Sequence, residues 1–176
     1  MTSTTKTPSE SSNTVYFWRP QDNNSFLSQW YPSPFTHEGT TYATAEMWMM
    51  IQKAKLFKDE EIASKMAATN DPKEHQALGR KVRNYDGKLW DENKLRIVEE
   101  GSYLKFTTSA GLKPLLLATG DRELVEASPV DKIWGIGFGE KDAEENRKYW
   151  SQNLLGIALM NARTKIQEEE ANEKKA

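Results

Sequence analysis

Tyr42-Ala-Thr-Ala-Glu46-Met-Trp-Met-Met-Ile-Gln-Lys53-Ala54 is a helix-forming stretch rich in apolar residues that also carries a carboxylate and an amine. Thr44 is suited to cap it, because a hydroxyl before the first turn can accept from a free backbone N–H, and the helix is expected to end near Phe57. Glu46 and Lys53 are almost two turns apart, so they share a face and lie about 10 Å from one another along the axis. Met49 and Met50 fall between them on that face. Two readings are open with equal weight. The charges could sit on the rim of a half-exposed helix. Alternatively the helix could be a pocket wall, since charges among Met, Trp and Ile are costly unless paired, exposed or used.

Outward from this helix, Val15-Tyr-Phe-Trp18 is β-prone. Residues 19–39 read as a long turn-rich loop whose Phe26, Leu27, Trp30, Tyr31 and Phe35 wrap it against a core. After the central helix, Glu60–Thr69 reads as a second helix. Asp71-Pro72 caps and starts a third that runs toward Arg83. Asn84–Gly87 reads as a turn, Asp91 as the cap of a longer helix to about Thr107, and Gly111–Thr119 as a short buried helix stopped by Gly120. Glu123–Ser128 and Lys132–Phe138 read as two strands joined in a hairpin through Pro129-Val-Asp131. A last helix is expected from Asp142 to Ile166 with a break near Trp150–Ser151. The predicted class is α+β, a helix-dominated single domain over residues 14–167 with a small antiparallel sheet. Residues 1–13 are Ser/Thr-rich and read as a disordered tail; residues 168–176 read as a charged tail at a fraying helix end.

Composition narrows the chemistry. The chain has 176 residues, 37% hydrophobic and 28% charged, with a net charge of −2. That length suits one domain with a sizeable core. The charge argues against general duplex binding, which needs a basic face, but not against a grip on one nucleotide. No cysteine is present and the histidines are His37 and His75. Thiolate chemistry is therefore excluded, and a multi-histidine metal site or a Ser-His-Asp triad is not expected. No apolar run approaches the ~20 residues of a membrane span. The expected location is the cytosol or nucleus, and no cofactor is expected.

Further candidate groups lie along the chain. Asp131 sits at a turn tip where an acid can face a cleft. Trp134 before Gly135 could stack a base, and Gly135 and Gly137 could allow close backbone approach. An ordinary hairpin with glycine bulges is the competing reading. Arg19, Arg80, Arg147 and Arg163 are candidates for phosphate. Trp90 is either core or a stacking platform. Gly156 most simply lets a neighbouring element pack closely.

These pieces occur in a specific order. Phe26-Leu-Ser28, Tyr31-Pro-Ser-Pro-Phe35, Gly39, Tyr42, Glu46, Gln52-Lys53-Ala54, Gly79-Arg80 and Trp90 come first. Lys105-Phe106, Thr119-Gly120, Leu124-Val-Glu126-Ala-Ser-Pro, Asp131, Trp134-Gly-Ile-Gly137, Asn153-Leu-Leu-Gly156 and Arg163 follow. The ordered set, over about residues 15–166, resembles the NADAR (YbiA-like) family. Gln29 departs from it, since many members carry Asn after the Ser.

The resemblance implies an N-glycosidase acting on a ribosyl N-glycosidic bond. Some members resemble hydrolases of phosphoribosylamino-pyrimidines of early riboflavin synthesis; others remove ADP-ribose from guanine in nucleic acid. Within these 176 residues no riboflavin-pathway domain accompanies the match, which favours ADP-ribosylated guanine as substrate and ADP-ribose as product. It implies Lys53 as an amine that attacks the anomeric carbon and Glu46 as general acid/base. Asp131 would be a second acid or an orienting group. Trp90, Trp134 and Gly135 would line the base or ribose pocket, with Ser28 and Glu126 as further substrate contacts. Arg19 and Arg80 would hold phosphate. A two-turn separation of Glu46 and Lys53 would leave room for a ribose. A non-catalytic ADP-ribose-binding module is the alternative of a different class, although a pure binder has no need of a buried amine.

Overall fold

A computed structural model describes residues 13–176, so all but the last residue of the expected N-terminal tail lie outside the described residues. The central helix, α1 (Ala45–Leu56), forms where Thr44 caps it: the Thr44 hydroxyl accepts from Met47 N at 3.1 Å. It is buried nearly all round, which is what a helix apolar on every side requires. Around it pack α2 (Glu60–Ala67), α3 (Pro72–Gly79) and the long α4 (Gly87–Thr108). Trp48 of α1 donates its indole N–H to Ile97 O at 2.9 Å. Gly101 makes that approach possible, because a Cβ there would lie 2.3 Å from Trp48 Cδ1. Helix α5 (Leu112–Leu117) and the terminal α7 (Leu154–Glu173) complete the layer against α4.

Among the described residues, the strands form two separate pairs. β2 (Phe35–His37) and β3 (Thr40–Tyr42) make an antiparallel hairpin inside and just beyond the segment read as loop. Its two-residue turn, Glu38-Gly39, has both φ angles positive, as a tight hairpin with the native twist needs. Phe35 and Tyr42 stack across it at 5.4 Å. β1 (Thr14–Phe17) runs parallel to β4 (Glu123–Glu126), with Phe17 opposite Glu126. The hairpin expected over 123–138 does not form. β4 takes β1 as its partner, and residues 132–136 instead bond the segment before α7: Ser151, Gln152, Asn153, Leu154 and Leu155 donate backward to Ile136, Lys132, Gly135, Ile133 and Trp134.

Helix boundaries differ from expectation in three places. α3 stops at Gly79 rather than near Arg83. α4 starts at Gly87 because Asp86, not Asp91, is its cap; Asp86 Oδ1 accepts from Lys88 N and Leu89 N, while Asp91 pairs with Lys94. The final helical region is split: α6 (Glu140–Ala143) and a 3-10 stretch (Glu144–Tyr149) precede the break, and α7 runs on to Glu173. Glu169 accepts from the Tyr103 hydroxyl at 2.8 Å and Glu170 pairs with Lys113, so part of the segment read as tail is a docked helix. Among the described residues, no helix is long and apolar enough to cross a membrane.

Candidate functional site

A cavity of about 580 Å³ opens between α1, the end of β1, the α3–α4 region and the loop after β4. Nine of the ten expected site residues line it: Arg19, Ser28, Glu46, Lys53, Arg80, Trp90, Glu126, Asp131 and Trp134. Gly135 does not. It lies behind the wall, where a Cβ would come within 2.9 Å of Glu126 O and 3.0 Å of Asp131 O, so its smallness brings two lining segments together.

Glu46 is 4% exposed, and burial, with Asp131 nearby, pushes its carboxyl up to about 8 against the weaker opposing pull of Lys53 and Arg80. Met49 and Met50 supply the apolar wall between Glu46 and Lys53. Lys53 is half-buried; its Nζ donates to Gly79 O at 2.9 Å and stands 4.9 Å from the Tyr85 ring and 5.5 Å from the Trp90 ring. A carbonyl at a helix end and two ring faces favour an ammonium. Burial acts the other way and lowers the amine below its ordinary value, offset in part by Glu46. The helical face thus places an acid and an amine on one cavity, each shifted toward its neutral form.

Glu126 is held from both sides. Its N–H donates to Asn153 Oδ1 and its carbonyl accepts from Ile136 N, both at 3.0 Å. Asn153, in the left-handed region at φ 49°, also donates to Leu124 O at 3.0 Å and so clamps β4. Gly156 permits this: a Cβ there would lie 2.1 Å from Leu124 O. Burial, then Asp131 and Glu46, push Glu126 up to about 8. Asp131 closes its own turn, its Oδ1 accepting from Ile133 N at 2.9 Å and Trp134 N at 2.8 Å, which fixes Trp134 at the cavity wall. Ser28 O accepts from the fully buried Lys105 at 2.9 Å, anchoring the segment that carries Gln29 and Trp30.

The arginines separate by role. Arg19 stacks on Trp18 at 3.9 Å and, with Arg80, stays in the lining. Arg147 is tied to Glu123, Glu144 and Thr14, and Arg163 is buried against the Thr119 hydroxyl at 2.8 Å, so both are structural. Trp18, Gln29, Trp30, Ser128 and Val130 also line the cavity and were not singled out from the sequence. They lie in irregular segments, where spacing carries no facing information; large aromatics in a turn-rich stretch were the available signal. Among the described residues, no group of three His, Cys, Asp or Glu is placed to hold a metal ion.

Residues 16–167 match the NADAR domain family model. Over 149 residues the chain is 40% identical to an N-glycosidase of Acanthamoeba polyphaga mimivirus, covering 81% of this chain and 88% of the viral one. It is 33% identical over 153 residues to an N-glycosidase of Nostoc punctiforme, covering 87% of this chain and 92% of that one. A riboflavin biosynthesis protein of Vibrio vulnificus is 30% identical over 154 residues, which span 88% of this chain and 39% of the larger protein. The solution structure of Escherichia coli YbiA is similar with a TM-score of 0.72 at 27% identity, covering 90% of this chain and 87% of that one. The chain belongs to the NADAR domain family.

Proposed function

We propose that this protein is an N-glycosidase, and that the bond it hydrolyses joins the ribose of ADP-ribose to guanine. The observation that carries the reading is Glu46 and Lys53 on one cavity, with the acid's affinity for its proton raised and the amine's lowered. Cleavage of such a bond needs a proton for the leaving nitrogen and compensation at the anomeric carbon. Glu46 holds a proton at neutral pH and gives it to that nitrogen. Lys53, once neutral, attacks the anomeric carbon as the C–N bond breaks; the Glu46 carboxylate then moves a proton from Nζ to the ring oxygen, so that the sugar ring opens and an imine to Nζ forms, and water hydrolyses the imine to release the sugar and the free amine. Asp131 orients the sugar. Trp90 and Trp134 bracket base and ribose. Arg19 and Arg80 at the lining suit a diphosphate, and two guanidinium groups serve it better than a lone phosphate.

The test is incubation with a guanine-ADP-ribosylated oligonucleotide, with free ADP-ribose as readout, followed by borohydride trapping. Release of ADP-ribose, with an adduct that disappears in Lys53→Ala, is expected. An adduct that persists in that variant removes the Lys53 role; tight ADP-ribose binding without any hydrolysis makes the protein a binding module. A second reading is favoured by the Vibrio vulnificus relative: hydrolysis of a phosphoribosylamino-pyrimidine of riboflavin synthesis. Faster turnover of that compound than of the ADP-ribosyl substrate would decide for it.

A further inference from the structure

Among the described residues, three buried side-chain polar atoms have no hydrogen-bond partner: His75 Nδ1, Ser102 Oγ and Glu126 Oε2. Of the three residues, Glu126 alone lines the cavity. A buried oxygen without a donor is costly, so in a native structure it calls for a reason. The backbone of Glu126 is fixed through Asn153 and Ile136, and Gly135 and Gly156 carry no Cβ that would push β4 away. The backbone that carries the carboxyl is therefore held in place. Its surroundings select the missing partner. Glu46 from α1 and Asp131 from the loop after β4 bear on it, so the position repels anions and acceptor-rich edges. Once ionised, its carboxylate accepts only from a group that brings donors. Glu46, the proposed proton donor, belongs beside the leaving base, which puts the base within the same carboxyl cluster.

We infer that Glu126 reads the leaving base, its carboxylate accepting from a ring N–H and the adjacent exocyclic amino group of a 2-amino-4-oxopyrimidine edge. Guanine carries this edge, and a 2-aminopyrimidin-4-one carries it as well. Adenine, with an acceptor at the corresponding ring nitrogen, is rejected, as is a base lacking the amino group. Two donors favour the ionised carboxylate. The resulting charge beside Glu46 holds the Glu46 proton in place for the leaving nitrogen, so base recognition and proton donation act together. The inference rests on the N-glycosidase reading for placing a base in this cavity.

Isocytosine is the smallest probe with the full edge, and pyrimidin-4-one is the same ring without the amino group. Titrating both into the wild-type protein, followed by amide chemical shifts or calorimetry, separates recognition from turnover. Isocytosine should bind at least roughly tenfold more tightly, the discrimination expected of a bidentate pair, and Glu126→Gln should erase the difference. Equal binding of the two probes, no isocytosine binding at millimolar concentration, or a preference that survives Glu126→Gln overturns the inference. If Glu126→Gln fails to fold, the wild-type comparison alone decides. Hydrolysis of the proposed substrate without this preference would sink the base-reading role and leave the glycosidase reading intact; the preference without hydrolysis would do the reverse.

Discussion

Glu46 and Glu126 both hold their protons up to a pH of about 8, because burial and the neighbouring carboxyls disfavour negative charge. In the unfolded chain the same groups titrate near 4.5. The unfolded state therefore loses protons first as pH rises, and folding stability falls between about 4.5 and about 8. Replacing either carboxyl by an amide removes that penalty. Glu46→Gln and Glu126→Gln should thus stabilise the fold at pH 8 to 9 by an amount on the order of a few kcal/mol, read as a higher melting temperature, and change little at pH 5. Thermal melts across that range check it; equal melting of wild type and variants at pH 9 would contradict the shifted carboxyls. Activity should move the other way. Loss of the Glu46 proton donor should lower kcat by about 10²–10⁴-fold, and wild-type kcat should fall as pH rises past about 8. The Glu46/Lys53 pair was legible in the sequence because both lie on one helix, whose period fixes which side chains share a face. Gly135 was legible as a position of close approach but not as to what approached: its neighbours are backbone groups of Glu126 and Asp131, not a ligand.

At the level of elements, the site depends on how β4 is held. β4 pairs with β1 on one side and is clamped by Asn153 at the start of α7, with Gly156 allowing contact. Gly156→Ala would drive a Cβ to 2.1 Å from Leu124 O and also against the Asn153 side-chain amide. The backbone oxygen cannot yield without breaking the strand, so a destabilisation of roughly 3 kcal/mol or more is expected, read as a lower denaturation midpoint. Normal stability of that variant would mean that α7 shifts freely, and the clamp would not be rigid. Locally capped helices were legible: Thr44 before α1 and Asp71-Pro72 before α3 are sequence-adjacent signals. The pairing of β4 was not. A short β-prone run states that a strand forms, not which strand it joins, and the parallel partner β1 lies at the other end of the chain. The true hairpin was hidden because Glu38-Gly39 sits in a stretch dense with other turn residues, and its strands have three residues each.

Across the whole molecule, the cavity is assembled from the end of β1, the segment before β2, α1, the end of α3, the start of α4 and the loop after β4. No two neighbouring elements contain enough of it to bind alone, so the site and the global fold should appear and vanish in one transition. A ligand that binds only the assembled site then stabilises the entire domain by mass action, about 2.7 kcal/mol at a hundredfold excess over its Kd. For a domain of this size that corresponds to a rise in melting temperature of roughly 5–10 °C. ADP-ribose, as the proposed product, should produce such a shift at saturation. Arg19 follows β1 and Arg80 follows the last residue of α3, and both are exposed, so neither contributes much to the fold itself. The double variant Arg19→Ala/Arg80→Ala should therefore melt within about 1 °C of wild type without ligand, since surface substitutions cost little. Its response to ADP-ribose should be largely lost, because two charge-assisted anchors for the diphosphate are gone. An undiminished ADP-ribose shift in that variant would place the diphosphate elsewhere on the molecule. A full shift with ribose 5-phosphate alone would instead favour the smaller phosphoribosyl substrate.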